Sequence, residues 1–283
     1  MKRATPQTRF SAFPWFPAKC ALILGFIGVL YARILVDLFN DWWTQPAWSY
    51  GLLIPPLALY MAWLRRSYTL EVPPAEDSQG LWLTGGACVL YLLGQLGAEF
   101  FLARMSLVVL LAGLVWTFWG FRRLRTLFFP FVLLATMVPL PVIVYNSLAA
   151  PLQLLASSLA TQFARAAGVT LYQDGNIINL AHISLGVEEA CSGLNSLFAL
   201  VVASLLLALL ICSRVRSRVA LILLSVPLAI AVNVFRVAGT AIIADVHEEF
   251  ALGFYHLLSG WLVFVTGFGL LYVSARGLHR FLD

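Results

Sequence analysis

The amino-acid sequence predicts an all-α polytopic membrane protein with about eight transmembrane helices and a small helical and β-hairpin outer loop. Of its 283 residues, 61% are hydrophobic and 11% are charged, which is too apolar for a soluble domain of this length. Apolar stretches that are long enough, or nearly long enough, to cross a bilayer follow one another along the chain. They lie at about 18–39, 51–64, 80–98, 102–120, 126–148, 193–212, 218–246 and 254–275. We interpret residues 1–283 as one integral membrane domain.

The loops between these stretches alternate in charge, which predicts the orientation of the chain. Every second loop is basic, and the loops between carry acidic residues with few basic ones. By the positive-inside rule, both termini should face the cytoplasm of a multi-pass inner-membrane protein. The net charge of +5 is therefore explained by the basic cytoplasmic loops, and no nucleic-acid partner is expected. The basic residues of the loops assigned to the cytoplasm are Lys2, Arg3, Arg9, Lys19, Arg65, Arg66, Arg122, Arg123, Arg125, Arg214, Arg216, Arg218, Arg276 and Arg280.

The longest outer loop, at about 140–192, is predicted to have structure of its own. Pro139-Leu140-Pro141 should end the fifth helix, because proline cannot continue the helical hydrogen-bond ladder. The segment "APLQLLASSLATQFARAAG" has apolar residues at helical spacing and predicts a helix on the outer surface. Asp174-Gly175 is a strong hairpin signal within "VTLYQDGNIINLAHISL". This β element leads the chain to Glu188 and Cys191.

The four cysteines do not have the spacing of a disulfide framework or a zinc site, so no metal and no cofactor is expected. Cys20, Cys88 and Cys212 lie in apolar runs or on the cytoplasmic side and are interpreted as packing residues. Cys191 differs because it stands where a polar, acidic stretch turns into an apolar helix. Exposed amide hydrogens at a helix start favour the thiolate, so Cys191 is a candidate nucleophile.

Three reactive residues fall at one predicted depth. Cys191 lies roughly 34 Å, Arg236 roughly 27 Å and His256 roughly 30 Å from the basic residue that marks the cytoplasmic end of the same helix. All three therefore reach the outer, periplasmic boundary of the membrane. A thiol, a guanidinium and an imidazole on three helices suit acyl transfer. His256 can protonate the leaving amine, and Arg236 can stabilise an oxyanion or hold a carboxylate.

Several neighbouring residues are candidates for supporting roles. Asn233 and Thr240 lie three and four residues from Arg236 on the same helix face and could orient it. Asn195 could shape the approach to the thiol. Glu188 is either a solvated loop charge or a carboxylate that orients His256 or binds a basic group of the substrate.

Three segments, "EEACSGLNSL", "NVFRVAGT" and "FYHLLSG", resemble in order and approximate spacing the signature blocks of the exosortase/archaeosortase family of membrane cysteine transpeptidases. The similarity extends through "MVPLP" and "YQDGNIINL", and more weakly to "WSYGLLIPPLALYMAWLRR". It implies that Cys191, Arg236 and His256 form the catalytic set, within a catalytic part at about 137–275. Where many members have an "SHG"-like element, this chain has Ser49-Tyr50-Gly51, which concerns only the subtype.

The same resemblance implies the substrates and partners. Members of the family process exported proteins of the PEP-CTERM type, whose C-terminal sorting signal has a short motif such as Pro-Glu-Pro, a membrane helix and a basic tail. The expected partners are these sorting-signal helices and membrane lipids. Whether water or an amine resolves the acyl-enzyme is left open.

Other interpretations of the same residues remain. Arg236 could be an anchor that extends its charge to the outer interface. The protein could be a transporter or flippase for a polysaccharide or lipid, with Arg236 binding an anionic head group and Cys191 incidental. It could also be an inactive relative that only docks sorting-signal helices. Tolerance of Cys191→Ser would favour the transporter.

Overall fold

The computed structural model describes residues 16–187, 194–247, 249 and 254–283, without the side chains of residues 16–20 and 254–257. Glu188 and Cys191 therefore lie outside the described residues, as does the side chain of His256. The helices are α1 (Phe16–Thr44), a 3-10 helix (Pro46–Leu53), α2 (Ile54–Leu64), α3 (Arg66–Glu71), α4 (Gly80–Leu96), α5 (Phe100–Trp119), α6 (Phe121–Thr126), α7 (Phe128–Ala135), α8 (Val142–Ala166), α9 (Leu194–Ile211), α10 (Val215–Val246) and α11 (Phe254–Leu282). The strands are β1 (Leu171–Asp174), β2 (Ile177–Leu180) and β3 (Ser184–Gly186).

The prediction of an all-α polytopic membrane protein is confirmed. Within the described ranges, seven helices are long and apolar enough to cross a membrane, and α4 is a shorter apolar helix. The seven candidate spans are Ala21–Thr44, Pro46–Leu64, Phe100–Trp119, Val142–Ala166, Leu194–Ile211, Val215–Val246 and Leu258–Leu282. The chain is thus a multi-pass membrane protein.

The continuous fifth span predicted at 126–148 is wrong. α7 ends at Ala135, and α8 begins afresh at Val142 after a break that contains Pro139 and Pro141. Proline cannot donate to the helical ladder of the preceding helix, yet Pro141 has the backbone conformation of a helix N-cap (φ −55°, ψ 139°) and so starts the next one. The separate surface helix predicted after residue 148 is also wrong, because that segment is the second part of α8.

The predicted hairpin is confirmed as part of a three-stranded antiparallel sheet in the order β1-β2-β3. β1 and β2 meet at Asp174 opposite Ile177, and Gly175 between them has φ +60°, which glycine adopts readily. The buried Ile178 of β2 packs with Ala160 of α8 and Ala241 of α10. The sheet is therefore fixed against the C-terminal parts of these two helices, and β3 precedes the segment that contains Cys191.

The N-terminal helices pack closely through small residues. α4 and α5 meet at Gly80, Gly94 and Gly113, where an added Cβ would lie within 2.4–2.6 Å of atoms of the facing helix. Lipid tails are as apolar as the helix surface, so the hydrophobic effect does not drive membrane helices together. Close packing through small residues stabilises the pair instead. α1 joins this pair through a buried hydrogen bond of 2.8 Å between the hydroxyls of Tyr31 and Ser106.

The helices α9, α10 and α11 pack against one another and form the C-terminal group. An added Cβ on Gly267 of α11 would lie 2.7 Å from Leu200 of α9, so these two helices touch closely. At one end of the group, the Asp283 carboxylate accepts hydrogen bonds from the amides of Ser213 and Arg214. A hydrogen bond from the Ser217 hydroxyl, together with these two amide bonds, lowers the pKa of Asp283 below its ordinary value. The end of α11 thereby caps the start of α10.

Candidate active site

Arg236 lies at the contact between α10 and α11. Its Nε donates a hydrogen bond of 3.2 Å to the hydroxyl of Ser259, whose side chain is buried. A Cβ added to Gly260 would lie 3.8 Å from Nη2 of the same guanidinium. Arg236 itself is only half-buried. The guanidinium is thus held by the neighbouring helix, and among the described residues its terminal nitrogens have no hydrogen-bond acceptor, which leaves them as donors for a ligand.

His256 belongs to the first turn of α11. It precedes Ser259 by three residues and Gly260 by four, the spacings that place residues on one helix face. The backbone position of His256 is therefore on the α11 face that meets Arg236, one turn away. Its side chain lies outside the part of the chain that the structure describes.

The start of α9 is held in place by two other elements. Asn195 lies in the first turn of α9, and its Oδ1 accepts a hydrogen bond of 2.9 Å from the hydroxyl of Tyr145 on α8. The ring of Tyr145 packs edge-on against Trp48, with centroids 5.4 Å apart, and Trp48 also contacts Phe198 of α9 at 6.1 Å. Cys191 is three residues before Leu194, where α9 begins. That Cys191 and Arg236 lie at one depth and share a site stays a prediction.

The supporting residues on α10 have distinct positions. Asn233 is 1% exposed and lies one turn from Arg236 on the same face. The Thr240 hydroxyl donates to the main-chain carbonyl of Arg236 at 2.9 Å. Thr240 therefore contacts the helix backbone at Arg236, whereas the described side-chain contact of the guanidinium is with Ser259. The sequence carries no signal for Ser259, because its bond to Arg236 forms only when α10 packs against α11.

A cavity of about 690 Å³ with charged residues in its lining reaches Tyr145, the residue that bonds the start of α9. Its walls include Asp41 and Arg104, which form an ion pair of 2.7 Å with side chains 26% and 9% exposed. Arg33 and Asp37 line the cavity as well. Tyr145 belongs to this lining and also bonds Asn195, so the cavity is next to the helix that follows Cys191.

Of the two cysteines whose side chains are described, Cys212 is buried, as the packing interpretation predicts, and Cys88 is not. Cys212 is 2% exposed and lies at the opposite end of α9 from Asn195. Burial and the nearby Asp283 raise the pKa of its thiol, and Arg218 lowers it by less. A thiol with a raised pKa is a poor nucleophile at neutral pH. Cys88 is exposed on α4, away from the C-terminal helices.

A family model described as transmembrane exosortase (Exosortase_EpsH) matches residues 42–273. The match spans well over half of the chain and includes the three segments that contain Cys191, Arg236 and His256. Neither a curated protein nor a solved structure matches the chain.

Proposed function

The chain belongs to the transmembrane exosortase family of membrane-embedded sorting transpeptidases, and we propose that it cleaves the C-terminal sorting signals of exported proteins through an acyl-enzyme on Cys191. The substrate signal is a short motif, a membrane helix and a basic tail. The proposed catalytic residues are Cys191, Arg236 and His256. The proposed site faces the periplasm of the inner membrane, with both termini of the chain in the cytoplasm.

The single observation that carries this proposal is the hydrogen bond from Arg236 to Ser259. It fixes a half-buried guanidinium against α11 one turn from His256, and α9 packs against both helices. A snorkelling anchor needs only contact with water or head groups. A guanidinium held by a buried hydroxyl of another helix, with donors left over, instead suits the binding of a charged intermediate.

The proposed reaction has two steps. The Cys191 thiolate attacks the scissile carbonyl carbon, and the carbonyl oxygen of the tetrahedral intermediate carries a negative charge that Arg236 stabilises. His256 gives a proton to the leaving amine, the C–N bond breaks, and the membrane helix departs with a free amino group. Neutral His256 then takes a proton from water or from an incoming amine, which attacks the thioester and frees Cys191.

The cavity beside Tyr145 is proposed to receive the polar segment of the substrate next to the scissile bond. It is large enough for a short peptide, because small-molecule sites typically span about 300–1,000 Å³. Its charged lining of both signs would be costly beside lipid, so an aqueous or polar occupant is favoured. Because Tyr145 bonds Asn195, a substrate that contacts Tyr145 would be held in a fixed position relative to the start of α9.

A comparison of strains tests the function without knowledge of the motif. In a host strain that lacks the gene, a set of exported proteins should retain C-terminal membrane helices that the parent strain removes. Mass spectrometry of C-terminal peptides from both strains gives the measurement. Restoring the gene should restore the shortened C-termini at one peptide bond in each substrate. Identical C-termini in the two strains would contradict the proposal.

The orientation has its own test with a membrane-impermeant maleimide added to the outside of intact spheroplasts. A variant whose only cysteine is Cys191 should react at once. A matched variant with Arg216→Cys and no other cysteine should react only after permeabilisation, because Arg216 is exposed in the first turn of α10, at the basic end of that helix. The reverse pattern would show that the proposed site faces the cytoplasm.

A further inference from the structure

A second cavity, of about 440 Å³, lies at the end of the helix bundle opposite the candidate active site. It is formed where the end of α2, the end of α9 and the start of α10 come together. The volume is within the usual range for small-molecule sites. The lining residues are Met61, Leu64, Arg65, Tyr68, Thr126, Leu209, Leu210 and Arg218.

Two arginines from different helices converge on this cavity. The guanidinium carbons of Arg65 and Arg218 lie 5.1 Å and 5.6 Å from the centroid of the same Phe129 ring. Each is also tied to a main-chain carbonyl: Arg65 Nη1 donates to Thr126 at 3.2 Å, and Arg218 Nε donates to Cys212 at 2.9 Å. The two charges are therefore held in one place before any ligand binds, which lowers the entropy cost of binding.

A described carboxylate at this end of the bundle, Asp283, is bonded to the start of α10 and to His279 and forms no ion pair with Arg65 or Arg218. The lining contains no acidic residue, and neither Arg65 nor Arg218 is in a described ion pair. Burial and the charge of Arg218 lower the pKa of Arg65. Two like charges in a partly buried corner repel each other, and an anion between them would remove that repulsion. The preferred ligand therefore carries negative charge.

The surroundings of the cavity are those of a membrane interface. Leu64 and Leu210 line it and are 41% and 55% exposed, so an apolar surface continues from the arginines toward the lipid. Two exposed aromatic residues are close by in the chain: Trp63 at the end of α2 and Tyr68 in α3. Tryptophan and tyrosine concentrate at the level of lipid head groups. Acyl chains could lie along the leucines while a head group contacts the arginines.

We propose that the cavity formed by Arg65 and Arg218 binds the phosphate of an anionic phospholipid from the leaflet on the basic side of the membrane. The guanidinium donors bind phosphate oxygens, and Leu64 and Leu210 contact the acyl chains. Basic pockets between membrane helices on this side suit anionic lipid head groups. The site is separate from the proposed catalytic residues, and its existence does not depend on the proposed function.

The test is a titration of the full-length purified protein with dioleoylphosphatidylglycerol, followed by native mass spectrometry. The parent should bind this lipid more tightly than dioleoylphosphatidylcholine. Arg65→Gln and Arg218→Gln should each weaken binding about fivefold, the effect expected for one basic residue near an anionic lipid. Arg66→Gln is the matched control, because Arg66 stacks on Trp63 at 4.1 Å and does not line the cavity. It should bind within about twofold of the parent.

Three outcomes would overturn the proposal. The first is equal affinity of the parent for the two lipids. The second is unchanged binding of phosphatidylglycerol by a folded Arg65→Gln variant, with folding checked by circular dichroism and elution volume. The third is binding of inorganic phosphate with the affinity of the lipid, which would assign the cavity to a soluble anion. If Arg218→Gln does not fold, Arg65→Gln and Arg65→Lys decide the question, and the lysine variant should keep most of the binding.

Discussion

Cys191→Ala should abolish processing of an anchored substrate while the protein remains inserted and folded. In the proposed mechanism the Cys191 sulfur carries the acyl group, and no other atom of the site can replace it. Loss of the nucleophile from a catalytic unit lowers kcat by orders of magnitude, here at least about a thousandfold. The measurement is the rate at which the cleaved product forms at matched enzyme abundance. Cys88→Ala is the control, because Cys88 is exposed on α4 and should be dispensable.

A Cys191→Ala variant that releases substrate at the parental rate would contradict the cysteine mechanism. Cys191→Ser separates the enzyme from the transporter or flippase. A transporter that uses Arg236 to bind a head group should tolerate serine, which is close to cysteine in size. A transpeptidase should lose nearly all activity, because an unactivated hydroxyl is a much weaker nucleophile than a thiolate.

Arg236→Lys should insert normally and process substrate about a hundredfold more slowly. The Nε of Arg236 is bonded to Ser259, so its remaining donors are aimed by that bond. An ammonium on a flexible stem reproduces the charge without the planar fork. Loss of one oxyanion donor typically costs about 3 kcal/mol, or about a hundredfold in rate. Arg236→Ala should be no better than the lysine variant. The ratio of cleaved to uncleaved substrate gives the measurement.

The matched control for Arg236→Lys is Arg165→Lys. Arg165 is an exposed arginine near the end of α8, where it donates to the carbonyl of Leu171 at 3.2 Å. Its replacement by lysine should leave the rate within about twofold of the parent. If the processing rate of Arg236→Lys is also within about twofold of the parent, Arg236 is an anchor, and the proposed site consists of Cys191 and His256 alone.

Hydropathy and turn chemistry predicted most of the fold. Long apolar runs identified the candidate spans, and Asp174-Gly175 identified the hairpin between β1 and β2. The predicted span at 126–148 ran through the break at Pro139 and Pro141, where proline was expected to end a helix, because the chain stays apolar across these residues. A hydropathy window cannot separate two helices there. Proline ends one helix and can start another, so the same residues that ended the predicted span also began α8.

The residues of the candidate site differ in how far the sequence could predict them. An arginine within an apolar run is expensive, which singled out Arg236. Ser259 and Tyr145 carry no such signal, since buried hydroxyls occur throughout membrane helices. Their partners lie 23 and 50 residues away, so the bonds exist only after the helices pack. Packing between distant helices cannot be inferred from spacing along one of them.

The most direct test of the central claim is the covalent intermediate itself. Enzyme and an anchored substrate are mixed, quenched in acid within the first turnover, and digested for mass spectrometry. The account predicts that the Cys191 peptide carries the new C-terminus of the substrate as a thioester, which neutral hydroxylamine removes. In His256→Ala, protonation of the leaving group should be slowed rather than abolished, so this adduct should still form. Cleaved substrate with no adduct on Cys191, or with an acyl group on another residue, would contradict the account.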